Sequence, residues 1–324
     1  MAHIYVYSPA GAVRDRAAFR RGIKQLQALG HEVETDPDAL SSWQRFAGDD
    51  ATRLAAIGRA AASRADVTLI SRGGYGLTRL LPHMPWRDLA RSVERGTRWV
   101  GFSDFTVLQL GLLARTPGAV TWAGPALCEG FGAADATDAS EGHGGVATGG
   151  GPDEIMLACF DDLVSGVGEG TGWRLRAPDV AALGPRQGSL ARHAPLWGGN
   201  LCMVTSLLAT PWWPDVKGGV LFLEEVGEHP YRVERMLLQL LHAGVLARQK
   251  AIVLGDFSDY RLGPHDRGYT LAKVIDHLRA QLKVPVLTGL PFGHTPTKVL
   301  LPVGAHVDLL VEGREALLLW GHLH

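Results

Sequence analysis

Cysteine is scarce in this chain: three residues in 324, at Cys128, Cys159 and Cys202. Widely spaced, odd in number and never arranged as C-x-x-C, they argue against a disulfide framework and fit a reducing compartment. Net charge is equally scant, a formal −1, so nothing draws the chain as a whole toward nucleic acid or an anionic membrane. Any anion it binds must be held locally. No apolar run reaches the roughly 18 residues that span a bilayer, and the opening Met1-Ala2-His3-Ile4-Tyr5 has neither the basic nor the long apolar region of a secretory leader. Metal signatures are missing too, since H-E-x-x-H does not occur and the 13 histidines are scattered. The expectation is a cytoplasmic protein with no metal, no cofactor, no nucleic-acid partner and no membrane partner.

What is present is an ordinary globular composition, 46% hydrophobic and 20% charged, in a chain longer than one core usually needs. Two α/β domains are expected. In the first half, apolar runs at His3 to Ser8, His31 to Glu34, Val67 to Ser71, Trp99 to Phe102 and Ala119 to Ala123 alternate with helical patterns, which implies a parallel sheet. Asp153 to Val164 reads as a further helix. The glycine-rich stretch 131–152, containing His143, reads as a surface loop. The expected boundaries are an amino-terminal domain over 1–168, a crossover linker over 169–188 and a smaller mixed-sheet domain over 189–324. Within the last, Leu196 to Leu201 is read as opening a helix, and Val299 to Val303 as one of the short strands that finish the domain's own sheet.

The run Trp99-Val100-Gly101-Phe102-Ser103-Asp104-Phe105-Thr106 places Ser103 on a strand-to-helix corner, beside the unpaired amides of the helix that follows. Chemistry on α/β sheets is done at such places. A serine that merely caps the helix explains the same pattern, and Phe105 breaks the G-x-S-x-G elbow of α/β-hydrolases. Arg72-Gly73-Gly74-Tyr75-Gly76 could bring its backbone N–H groups to a ligand or simply be a tight turn; it lacks the spacing of a nucleotide fingerprint. Arg72 itself could clamp a carboxylate. Glu224, leaving Val220-Leu221-Phe222-Leu223, and His294, between Gly293 and Thr295-Pro296, stand like Ser103 at the ends of apolar runs. Serine, histidine and carboxylate make a nucleophilic triad if they meet, and Ser, Glu, His is an order that occurs. A capping serine, a surface glutamate and a structural histidine would look the same.

Seven blocks occur in one order: Phe46-Ala47-Gly48-Asp49-Asp50-Ala51-Thr52-Arg53, Arg72 to Gly76, Gly101 to Thr106, Gly124-Pro125, Gly198-Gly199-Asn200-Leu201, Leu221 to Glu225 with Tyr231, and Pro291-Phe292-Gly293-His294. In this the chain resembles the LD-carboxypeptidases, a serine-peptidase family that also includes the microcin C immunity peptidases. The resemblance implies a flavodoxin-like or Rossmann-like amino-terminal domain carrying the nucleophile, a carboxy-terminal domain carrying the acid and the histidine, and a site between them. By that resemblance Ser103 is the nucleophile, Glu224 the acid and His294 the base, with the backbone N–H groups of Asp104 and of Gly74 or Gly73 as oxyanion hole. Glu225 stands where an aspartate is usual, which leaves the choice between neighbouring acids open. The implied activity is release of a terminal D-amino acid from a murein tetrapeptide in peptidoglycan recycling, by a homodimer. Two alternatives are an immunity peptidase acting on an aminoacyl or peptidyl adenylate analogue, with Trp197, Trp212 and Trp213 as an adenine shelf, and a noncatalytic nucleotide-binding protein using Arg72 to Gly76.

Overall fold

The computed structural model describes residues 1–134 and 151–323. The elements in chain order are β1 (His3–Tyr7), α1 (Arg16–Ala28), β2 (Glu32–Thr35), α2 (Asp50–Ala62), β3 (Val67–Ile70), α3 (Trp86–Glu94), β4 (Arg98–Gly101), α4 (Thr106–Arg115), β5 (Thr121–Ala123) and α5 (Glu154–Ser165). There follow β6 (Gly170–Arg174), α6 (Ala177–Leu183), β7 (Gly188–Asn200), α7 (Leu201–Ser206), β8 (Val220–Val226), α8 (Pro230–His242), β9 (Ala251–Ser258), α9 (Leu271–Gln281), β10 (Val286–Thr288), β11 (Leu301–Val303), β12 (His306–Glu312) and β13 (Glu315–Leu319). Helix starts follow the capping logic of the sequence. Asp15, Asp49 and Asp153 each accept backbone N–H groups from the first turn of α1, α2 and α5. Among the described residues no helix is long and apolar enough to cross a membrane.

Two sheets result. The first has the order β2-β1-β3-β4-β5-β11, parallel except for its last member, which is the doubly wound flavodoxin-like order with a switch point between β1 and β3. The second runs β10-β9-β8-β7-β12-β13-β6, parallel at the β7 to β10 end and antiparallel beyond.

Four local expectations change. Leu301–Val303 does not finish the second sheet: it pairs antiparallel with β5 and closes the edge of the first, tying the halves together. Segment 169–188 holds an edge strand, β6, paired with β13, and helix α6. Leu196 to Asn200 is the end of a 13-residue strand and the helix begins only at Leu201. Leu77, Leu80 and Leu81, whose spacing suggests a helix, instead lie along two short 3₁₀ turns, Leu77–Arg79 and Leu81–His83. The glycine-rich loop and His143 fall largely at 135–150, outside the described residues.

Helix α4 explains how the halves meet. Its residues Thr106 to Leu112 are all buried, because it packs on α7 and β7 of the second half as well as on α3 of its own. A helix apolar on every face has to be covered on every face. The close approach depends on Gly199, where a Cβ would stand 2.5 Å from Thr106 Oγ1, and its neighbour Gly198 lets the same strand lie close to β8; their φ of +132° and +133° suit no other residue. A Cβ on Gly198 would stand 1.9 Å from the Phe222 carbonyl oxygen, a backbone atom of β8. Gly198→Ala is therefore expected to cost about 3 kcal/mol or more. Urea denaturation checks this, and an unchanged midpoint would refute it.

Candidate active site

Ser103 follows β4 with φ +64°, a left-handed backbone that a non-glycine residue adopts only under constraint. It opens a 3₁₀ turn that runs into α4, and no side chain caps either start. The plain capping serine is thus not what the structure holds. The hydroxyl makes no hydrogen bond among the described residues, to His294 or to anything else.

A chain of contacts nevertheless returns to it. His294 Nδ1 lies 2.7 Å from Glu224 Oε2, and the glutamate is completely buried at the end of β8. A carboxylate only accepts, so Nδ1 carries a proton and Nε2 is the nitrogen left to exchange one with a substrate or nucleophile. The imidazole packs against the ring of Phe102, the residue before Ser103, with centroids 4.8 Å apart. On the other side Asn200 Nδ2 donates to Glu224 Oε1 (3.2 Å), while the Asn200 backbone N–H donates to Thr106 Oγ1 (3.1 Å), three residues after Ser103. Burial disfavours the imidazolium, but the hydrogen bond and charge of Glu224 outweigh it and raise the His294 pKa above its ordinary value. Glu225, also buried, accepts from Asn200 Nδ2 (2.9 Å), Cys202 N–H (2.8 Å) and Val226 N–H (3.0 Å) instead of from a histidine. An irregularity in the ladder between Leu223 and Glu225 lets both carboxylates reach Asn200, although neighbours on a regular strand point oppositely.

The glycine loop after β3 lies directly on the serine. A Cβ added to Gly73 would come within 3.1 Å of Ser103 Cβ and 3.2 Å of its Oγ. The N–H groups of Gly73, Gly74 and Asp104 find no acceptor among the described residues. Arg72 does not reach out as a free clamp. Its Nη1 donates to the Ala12 carbonyl (3.2 Å) and its Nε sits 3.5 Å from Glu129. Two residues hold the loop. Arg53, fully buried, donates to the carbonyls of Pro9 (3.3 Å) and Gly76 (2.9 Å) and pairs with Asp50 (2.6 Å), so it joins the loops after β1 and β3. Asp104 accepts the Leu77 N–H (2.7 Å) and pins the same loop to the serine turn.

Burial pushes the Asp104 carboxyl up to about 6, against the opposing pull of the Leu77 and Gly76 amides. A raised acid pKa means the folded chain holds the proton more tightly than the unfolded one, so stability falls as pH climbs from about 4 through 6. Asp104→Asn should remove that fall and gain, relative to wild type, on the order of 2 kcal/mol at pH 7 over pH 4. Denaturant midpoints at the two pH values check it; an identical pH dependence in both chains would refute it.

The indoles that the immunity alternative would use as a shelf pack in or against the core instead. Trp197 is wholly buried with Nε1 on Gln249 Oε1, Trp213 packs edge-on against it at 5.5 Å, and Trp212 is half-buried against the same core. Among the described residues no three His, Cys, Asp or Glu side chains group as metal ligands would.

With this geometry in hand, comparison with known proteins is informative. Residues 4–124 match the LD-carboxypeptidase N-terminal domain and residues 193–309 the LD-carboxypeptidase C-terminal domain. The chain belongs to the LD-carboxypeptidase family. It is therefore a hydrolase of the peptidase class. A crystal structure of muramoyltetrapeptide carboxypeptidase from Oxalobacter formigenes is 36% identical, covers 98% of both chains and superposes with a TM-score of 0.81. Murein tetrapeptide carboxypeptidase of Pseudomonas aeruginosa is 28% identical over 93% of this chain and 91% of its own. Microcin C7 self-immunity protein MccF of Escherichia coli is 27% identical over 75% of this chain and 71% of its own. A structure of MccF with aspartyl sulfamoyl adenosine, at 20% identity and a TM-score of 0.78, shares the fold. Sequence reading of this LD-carboxypeptidase family member gave Asn200, Arg53 and the Asp104 side chain no role. Each was a polar residue inside an apolar or glycine-rich block, which was the available signal.

Proposed function

We propose that this chain is a serine-type LD-carboxypeptidase that releases terminal D-alanine from a murein tetrapeptide. The observation that carries the reading is a His294–Glu224 pair packed on the residue before a serine held in left-handed backbone. Ser103 Oγ would attack the carbonyl of the last peptide bond as His294 Nε2 takes its proton, with Glu224 stabilising the imidazolium. The Ser103 to His294 bond closes with substrate in place, since catalytic hydrogen bonds commonly tighten only in the bound complex. The N–H groups of Asp104 and of Gly74 or Gly73 would receive the oxyanion, a contribution of roughly 3 to 4 kcal/mol per donor in comparable enzymes. His294 then returns the proton to the leaving D-alanine amine, and a water activated by the same imidazole hydrolyses the acyl-enzyme. Arg72 is our candidate for the terminal carboxylate, which would replace Glu129 on its guanidinium.

The test is incubation with murein tetrapeptide and tripeptide standards and mass detection of alanine. One alanine should leave the tetrapeptide and none the tripeptide. An untouched tetrapeptide, with an aminoacyl adenylate analogue cleaved instead, would move the chain to the immunity branch of the family.

A further inference from the structure

One buried charge beside the site has no part in the mechanism above. Lys298 is 2% exposed, four residues after His294, where the polar loop enters Val299-Leu300-Leu301. Its ammonium donates to the Thr295 carbonyl and stands 5.1 Å from the centre of the Phe102 ring, the ring that also carries His294. Among the described residues no carboxylate lies within ion-pair distance of it. An ammonium buried without a carboxylate in contact is costly, and a methionine would fill the same volume without that cost. The charge itself therefore calls for an explanation.

We propose that Lys298 is a positioning residue for the base: it locks the loop after His294 onto Phe102 and, by its charge, keeps the imidazole neutral enough to accept a proton from Ser103. This rests on the reading of His294 as general base. The charged groups that act on the imidazole are Glu224 and Glu225 from the end of β8 and Lys298 from its own loop, while Asp256 of β9 lies beside Gly293 and is engaged with Thr295. From the first lobe the ring of Phe102 packs on it, with Glu129 and Asp153 acting on Lys298. Two carboxylates thus favour the imidazolium, and Lys298 is the cation set against them. Burial lowers the Lys298 pKa as it disfavours the His294 imidazolium. The loop is also stapled from outside, where Thr297 Oγ1 donates to Asp153 at the start of α5 (2.6 Å). Removing the charge therefore need not release the loop.

The test is direct titration of His294 by NMR in histidine-labelled protein, the signal assigned with His294→Gln. It is run on wild type, Lys298→Met, Lys298→Gln and Lys298→Arg, alongside the acid limb of kcat/KM on tetrapeptide. Lys298→Met and Lys298→Gln should each raise the His294 pKa by about one unit and carry the acid limb with it. Lys298→Arg, which keeps the charge, should leave both where they are. A His294 pKa unmoved in the folded neutral variants would overturn the proposal. So would an equal shift in all three, which would make Lys298 a matter of packing. The NMR arm reads Lys298 whether or not tetrapeptide is the substrate. A clean shift without tetrapeptide cleavage would count against the proposed function and not against this electrostatic role.

Discussion

Ser103→Ala is expected to lower turnover of tetrapeptide by about 10⁴-fold or more while the chain stays folded. Alanine removes one oxygen that makes no hydrogen bond among the described residues, so no contact holding the fold is lost. The left-handed backbone at φ +64° remains, and with it the strain. Ser103→Gly separates the two roles of the position. Glycine adopts that backbone freely, so the variant should be as inactive as Ser103→Ala yet more stable by about 1 kcal/mol. Turnover and urea midpoints of the three chains decide it. Near-normal turnover in Ser103→Ala would remove Ser103 from the chemistry. A glycine variant no more stable than the alanine one would mean that the turn is unstrained.

Much of this arrangement was legible before any coordinates, for physical reasons that differ by element. Strands β1, β3 and β4 are buried on both faces and read as short continuous apolar runs, and aspartates mark the starts of α1, α2 and α5. The all-apolar pattern of α4 announced a helix buried on every side, which is how the two halves come to share it. Strand β7 was missed because glycines at Gly198 and Gly199 look like a breaker, whereas here they let a strand pass close to Phe222 and Thr106. Leu301–Val303 was placed in the wrong sheet because a three-residue apolar run does not say which edge it will pair with. Pairing across long sequence separations is set by tertiary packing.

The site shows the same division. Ser103, Glu224 and His294 could be singled out because each ends an apolar run, where a polar side chain has to find a partner or face a cleft. The parts that hold them could not. Arg53 joining Pro9 to Gly76, Asp104 holding Leu77, and Asn200 joining Thr106 to Glu224 are contacts across 23 to 94 residues of chain with no spacing rule behind them. Arg72 could be read as a carboxylate clamp, but its rest on the Ala12 carbonyl and its place beside Glu129 could not be read. Its engagement with Glu129 depends on the helical turn at Leu127–Phe131, for which no sequence pattern stood out.

The neighbouring acids give the second large effect. Glu224→Gln should cut turnover by about 10³- to 10⁴-fold, and Glu225→Gln by no more than about 10-fold. Only Glu224 meets the imidazole, and an amide there can offer an N–H to Nδ1, favouring the tautomer that puts the proton on Nε2 and leaves nothing to accept from Ser103. Glu225 is bound by three donors of its own. A glutamine can keep the Asn200 and Val226 bonds on its oxygen at the expense of the bond from Cys202. Burial also raises the Glu225 pKa, so neutralising it relieves a charge that the fold disfavours and offsets that lost bond. The two variants differ in pH dependence as well. Glu224 outweighs burial in raising the His294 pKa, so the residual activity of Glu224→Gln should have its acid limb at lower pH than wild type, whereas Glu225→Gln, a smaller contributor, should shift it less. If Glu225→Gln proved the more damaging and carried the larger shift, the acid would have to be reassigned, and the 2.7 Å contact between Glu224 and His294 would belong to the resting chain and not to the working one.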